Sequence, residues 1–142
     1  GRIFIRGDVG FRVGIHMKGF MDKQPILVVG GCTGNFFGEY QAGGCLVCLG
    51  LTKPIYGRYV VGDYCAAGMH GGVMYLRGTV PDDYLGKEVR RFDLTDDDAL
   101  RLRPVIEEFA ALFQVGPDIL DFGAYQKIIP VSTRPYGRLY AY

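Results

Sequence analysis

Two kinds of apolar patterning divide this 142-residue chain. As far as about residue 80, hydrophobic residues come in short runs closed off by glycine: CLVCL, residues 45–49, ends at Gly50, and VMYLR, residues 73–77, ends at Gly78. Runs of that length, strand-prone and bounded by glycine, predict β-strands. Beyond residue 93 the spacing changes. Leu102, Ile106, Phe109 and Phe113 recur at four, three and four residues, one stripe along an α-helix. Thr95, with a carboxylate three residues on at Asp98, marks the N-cap; Asp96, Asp97 and Asp98 suit the positive end of the helix dipole, and Gly116-Pro117 marks the stop. Pro104 falls inside this helix, and proline removes a helical hydrogen bond and crowds the preceding turn, which predicts a kink or a second helix beginning there. A short helix is expected in PDILDFGAYQK, followed by an extended segment at Ile128-Ile129-Pro130-Val131.

The glycines that bound the early strands repeat. Gly10, Gly14 and Gly19 return as Gly34, Gly38 and Gly43, and again as Gly62, Ala66 and Gly71, offset by 24 and then 28 residues. Of 22 glycines, 19 lie at or before Gly86, so the excess belongs to the repeats. Self-similarity of this period predicts stacked units that bury their apolar faces only against neighbours. The expected fold is mainly β: a right-handed parallel β-helix of about three coils, running from Gly7 to Gly30, Gly31 to Gly50 and on to Gly78, with a helical cap at its C-terminal end. FMDKQPIL in the first coil reads as a loop insertion, and LTKPIYGRYV as a turn between the second and third coils. One domain is expected over residues 1–142, with the glycine repeats in 1–93 and the helical cap and tail in 94–142. A branched residue at Gly43 or Gly71 should be costly, because a tight corner or a close backbone approach needs glycine.

Charge narrows the partners. A formal net charge of +1 from 16 basic and 15 acidic residues leaves no broad basic surface for nucleic acid or an anionic membrane. No apolar run reaches a membrane span, and GRIFIRGDVG lacks a signal-peptide layout, so a soluble cytoplasmic protein is expected. Cys45 and Cys48 form a CxxC, but residues three apart on a strand face opposite sides and cannot readily share a metal. Cys32 and Cys65 stand singly, and all four read as buried reduced thiols.

Other candidate chemistry is thin. VVGGCTGNFFG, residues 28–38, looks like a strand entering a phosphate loop, but its GGxxG spacing is not GxGxxG and no helical period follows. His16 and His70 lie in turn regions without an evident catalytic partner. Asp8, Glu39 and Asp63 recur near the repeat glycines, where aspartate commonly bonds turn amides. The tail STRPYGRLYAY combines Arg134 and Arg138 with Tyr136, Tyr140 and Tyr142, residue types enriched at interfaces, and is expected to dock on another chain or back on the coils.

GEYQAGGCLVCLG from Gly38 and GDYCAAGMHGGVMYLRG from Gly62 resemble the C-terminal GXGXG domain of the glutamate synthase large subunit. GDVGFRVG, ILVVGG, LTDDDALRLRPVIEEF and KIIPV extend the likeness over roughly residues 3–131. Related repeats occur in one of the subunits of formylmethanofuran dehydrogenase; the acidic helix start favours the glutamate synthase relative. The resemblance implies a β-helix that braces glutaminase and FMN-containing domains in the conversion of glutamine and 2-oxoglutarate to glutamate. Flavin, iron–sulfur cluster and amidotransferase cysteine belong to other domains of that enzyme. No catalytic, cofactor-binding or metal residue is therefore assigned here, and no cofactor. The family domain usually has more coils, so this chain looks like its C-terminal half, and Ala66 departs from a repeat glycine.

The expected role is a non-catalytic scaffold or assembly subunit. Its open first coil would be covered by a second copy or by partner subunits, the glutaminase and FMN-containing chains of a glutamate synthase, and neither nucleic acid nor membrane is expected as partner. The rival reading is an independent small enzyme using Asp63, His70 and Glu39 on one face of the coils.

Overall fold

A computed structural model describes residues 1–131. Six strands form one sheet: β1 (Arg2–Ile5), β2 (Ile26–Val29), β3 (Ala42–Cys48), β4 (Gly71–Arg77), β5 (Val89–Asp93) and β6 (Tyr125–Pro130), in the spatial order β1-β2-β3-β4-β6-β5. The helix α1 (Asp96–Phe113) lies between β5 and β6 in sequence. β1 to β4 run parallel, whereas β6 pairs antiparallel with both β4 and β5.

Each central strand is apolar at nearly every position because both faces of the sheet are covered. The register aligns Leu27, Leu46, Met74 and Ile128 in one column and Val28, Val47 and Tyr75 in the next. The first column packs with Phe37, Val61, Cys65 and Met69 of the glycine turns. The second packs with Leu102, Val105, Ile106 and Phe109 of α1, and with Ile119 and Tyr125. Burial of side chains this size contributes roughly 1.5–3 kcal/mol each, so the two faces are comparable sources of stability.

The turns bond repeat to repeat. Val9, Arg12 and His16 donate their amides to Cys32, Asn35 and Glu39, and Phe36 and Tyr40 donate to Asp63 and Ala67. Every second residue of each turn is left-handed: Arg12, Gly14 and His16; Phe36, Gly38 and Tyr40; Tyr64, Ala66 and Gly68. Ala66 thus occupies the slot of Gly14 and Gly38, at φ 60°. Between Ala42 and Cys45 the β3–β4 register slips, and the fully buried Gln41 secures this corner, its Nε2 lying 3.3, 3.2 and 3.2 Å from the carbonyls of Gly43, Gly44 and Val73.

The expected right-handed parallel β-helix with a helical end cap is corrected on two counts. The strands build a single open sheet that is mixed, and the turn layers, with a left-handed residue at alternate positions, cannot continue as further strands. The helix lies across the sheet face, not over its end, because Val28, Val47 and Tyr75 would otherwise be uncovered. β6, β5 and the segment at Tyr84–Gly86, where Cys65 donates to Tyr84 and Gly86 donates to Cys65, close the far end instead.

Helix α1 begins as expected, with a reciprocal capping box: Asp98 N–H to Thr95 Oγ1 at 3.1 Å and Thr95 N–H to Asp98 Oδ2 at 2.8 Å. It runs unbroken through Pro104, and the carbonyl left without its partner belongs to the exposed Leu100, where water can serve. It ends at Phe113 with Gln114 left-handed, and PDILDFGAYQK forms two 3₁₀ turns, Pro117–Leu120 and Phe122–Ala124, followed by β6. The buried Asp98 also accepts from Tyr75 Oη at 2.7 Å and from Lys127 Nζ at 2.9 Å, joining α1 to β4 and β6. Burial opposes its ionisation, but these donors outweigh it and hold the carboxyl down at about 2.

Two stability tests follow from this packing. A Cβ on Gly71 would sit 2.1 Å from the Ala42 carbonyl oxygen, whereas one on Gly116 meets nothing within 4 Å. Gly71→Ala should cost about 3 kcal/mol in urea denaturation and Gly116→Ala less than about 0.5. Because Asp98 titrates lower in the folded state than its ordinary 3.8, its contribution is present above that value and lost as pH falls toward about 2. Stability should drop by roughly 2 kcal/mol through this group over that window, and Asp98→Asn should flatten that part of the profile.

Candidate functional site

The three residues of the enzyme reading do not converge. Glu39 is buried and ion-paired with Arg12. Asp63 is exposed, its amide capped by Asn35 Oδ1 at 2.9 Å. His70 is exposed before β4, with Nδ1 3.2 Å from the Gly68 carbonyl. Among the described residues no hydrogen bond or ion pair joins any two of them. His16 stacks on Tyr40, with ring centroids 5.2 Å apart.

The amides of the GGxxG segment after β2, Gly30 to Gly34, are all engaged within the fold and are not offered to a phosphate. Gly30 donates to Ile5, Gly31 to Gly7, Thr33 to Val60 and Gly34 to Gly10, while the Cys32 amide donates to Asp8 Oδ1 at 2.8 Å. The Thr52 hydroxyl and the Cys32 amide hold the Asp8 carboxyl below its ordinary range. Asp8 is thus a turn clamp between repeats. Cys45 and Cys48 fall on opposite faces of β3, one toward α1 and the other toward the turns. Burial pushes the Cys45 thiol up to about 12 and those of Cys48 and Cys65 higher still, so all three stay protonated at neutral pH. Among the described residues no group of three or more His, Cys, Asp or Glu is placed to hold a metal ion.

What the fold leaves open is a surface. β1 lies at the edge of the sheet, and the first repeat carries Ile3, Phe11, Phe20 and Met21 at 62%, 61%, 71% and 84% exposure. From it, planar side chains stack across the turns: the Arg12 guanidinium sits 4.3 Å from the Phe36 ring centre, and Phe36 stacks on Tyr64 at 4.9 Å. These left-handed positions carry large side chains, although glycine would adopt the conformation more easily; stacking between repeats offsets part of that strain. Composition signalled none of this, because the stack exists only once the repeats are in register. The tail residues Arg134, Tyr136, Arg138, Tyr140 and Tyr142 lie outside the described residues. No helix among the described residues is long and apolar enough to cross a membrane.

A model of the family described as the GXGXG motif matches residues 1–130. A curated protein of Methanocaldococcus jannaschii, described as uncharacterized, is 41% identical over 138 residues, a match covering 94% of this chain and 52% of the relative. The chain therefore spans about half the length of that relative.

The three polar candidates are separated by their contacts. Asp63→Asn and His70→Ala should each change stability by less than about 0.5 kcal/mol, being exposed and bonded mainly through backbone. Glu39→Gln should cost about 1 kcal/mol, because it weakens the hold on Arg12 at a turn where both residues are strained or buried. Urea midpoints of the three variants check this ordering.

Proposed function

Because the chain belongs to the GXGXG-motif family, that of the C-terminal domain of the glutamate synthase large subunit, we propose that it is a non-catalytic assembly unit of a glutamate synthase-related oxidoreductase. In this reading glutamine hydrolysis and the reductive transfer of nitrogen to 2-oxoglutarate take place on other chains or domains, which this unit holds in relation to one another. The partners are the glutaminase and FMN-containing components.

The observation that carries the reading is the family match over residues 1–130, and the described residues show how such a unit is built. One end is closed by β6, β5 and the Tyr84–Gly86 segment; the other exposes an edge strand and a cluster of large apolar side chains. Exposed apolar surface grouped in this way is suited to packing against a further part of the protein or a partner. The carboxylates of Glu39 and Asp98 are engaged in an ion pair and a helix cap, and the exposed Asp63 and His70 stand apart from them.

Affinity purification from the native cell extract, with mass by light scattering on what elutes, tests this. Stoichiometric recovery of a glutaminase chain or an FMN-containing chain is expected, and the recovered complex should form glutamate from glutamine and 2-oxoglutarate. Recovery of formylmethanofuran dehydrogenase chains, or a chain that turns over a substrate alone, would overturn it.

A further inference from the structure

The sheet has a second free edge, and its strand is internal to the described chain. β5 pairs with β6 on one side, and no described strand occupies its other side. Val131 donates to the Glu88 carbonyl at 2.7 Å, so Glu88 faces β6. Alternate residues of a strand direct their amide and carbonyl groups to opposite edges. Arg90 and Phe92 therefore face β6 as well, and Val89, Arg91 and Asp93 turn their backbone groups outward. Pro130, which has no amide to give, stands opposite Val89 in a pair that needs none.

Charges on an edge strand ordinarily discourage the addition of another strand. On β5, VRRFD, their order makes the edge complementary to itself. Two copies that continue one antiparallel sheet are related by a twofold axis perpendicular to it, which passes through a residue so that side chains standing opposite share a face. Centres on Arg90, Arg91 or Asp93 set each of those charges against its own copy, and a centre on Val89 sets Lys87 against Arg91. A centre on Phe92 sets Arg91 opposite Asp93 of the second copy, twice, with the two Phe92 side chains meeting between them. The same register brings the outward backbone groups of Arg91 and Asp93 into hydrogen-bonded pairs.

The side chains are placed for this pairing. Asp93 is exposed and makes no ion pair among the described residues, and Phe92 is 44% exposed. Arg91 is held by Asp82 through Nε at 2.7 Å and by Gln126 through Nη1 at 3.2 Å. A guanidinium has five N–H donors, so Nη2 keeps its own for a further acceptor. A groove of about 320 Å³ runs along the edge, lined by Asp82, Arg90, Arg91, Phe92, Asp93 and Gln126. With two acids and two bases its charge balances, and two copies meet there without net repulsion.

We propose that the chain self-associates through β5, antiparallel about Phe92, joining two six-stranded sheets into one. Five residues a side make a contact smaller than a permanent dimer needs, so the association is reversible. It goes beyond the assembly reading and does not depend on which enzyme the unit serves.

In sedimentation velocity at low salt, the full chain should pass from monomer to dimer over a concentration series. Amide exchange at Arg91 and Asp93 should slow as the dimer fills, with β1 unchanged. Asp93→Arg, at an exposed position, should weaken association at least roughly tenfold without moving the melting temperature. Arg91→Asp should weaken it likewise, with some loss of stability through Asp82 and Gln126. Mixed, the two variants should associate again, because acids at both positions of one strand then meet arginines at both positions of the other. A chain monomeric throughout the series, a dimer that survives Asp93→Arg, or a dimer protected outside β5 would each overturn the proposal. So would variants that fold but stay monomeric when mixed, or Arg91 and Asp93 already protected in the monomer, which would mean that the chain covers this edge itself.

Discussion

Amide-to-carbonyl bonding between successive repeats is the constraint from which the rest of the molecule follows. Turn residues at regular positions find their partners one repeat away, as Arg12 finds Asn35 and Phe36 finds Asp63, and this holds the repeats at one spacing whatever their side chains. Keeping the chain in that path forces left-handed backbone at alternate turn positions, and it brings backbone so close at the corners that a Cβ at Gly71 has no room. The glycine pattern is a record of those two demands. Where it is broken, as at Ala66, the small Cβ is fully buried in a conformation that a longer or branched side chain would make costly.

The stacked strands create a second requirement. A strand apolar at successive positions, such as Leu46, Val47 and Cys48, must be covered on both sides. The turns cover one face because they belong to the same repeats. The other face has no such partner within the repeats, and α1 supplies it with the stripe from Leu102 to Phe109. Asp98 then sets the helix in place: its carboxylate takes donors from the helix cap, from Tyr75 and from Lys127, so cap, central strand and final strand meet at one buried charge. With three elements supplying donors, the cost of burying that charge is met locally.

What can be read from the chain has a physical boundary. Glycine spacing reveals the repeats, and the strands after Gly43-Gly44 and Gly71-Gly72, because backbone demands leave a residue signature. The capping box at Thr95 is legible for the same reason. β1 escapes such a reading because RIFI is short and precedes the first repeat glycine, and β5 because an edge strand such as VRRFD carries the charges of a surface loop. The stripe of α1 alone does not place the helix. That signal lies elsewhere, in CLVC, where apolar residues on both sides of one strand require cover on two faces and so draw the helix onto the sheet. Glu39, Asp63 and His70 are recognisable as turn residues, but their lack of mutual contact depends on three-dimensional register that no local pattern encodes.

The two ends of the sheet differ because different physics closes them. At the far end the chain reverses direction: β6 lies antiparallel on β4, β5 on β6, and the outermost strand is charged. Reversal ends the repeat geometry, since an antiparallel strand no longer presents the bonding groups of a parallel coil to the next one. At the first repeat nothing reverses. β1 keeps the direction and register of β2, and the turns beside it keep the backbone path of the second and third repeats. The first repeat thus keeps the bonding pattern of the interior, whereas the far end has exchanged it for an antiparallel ladder.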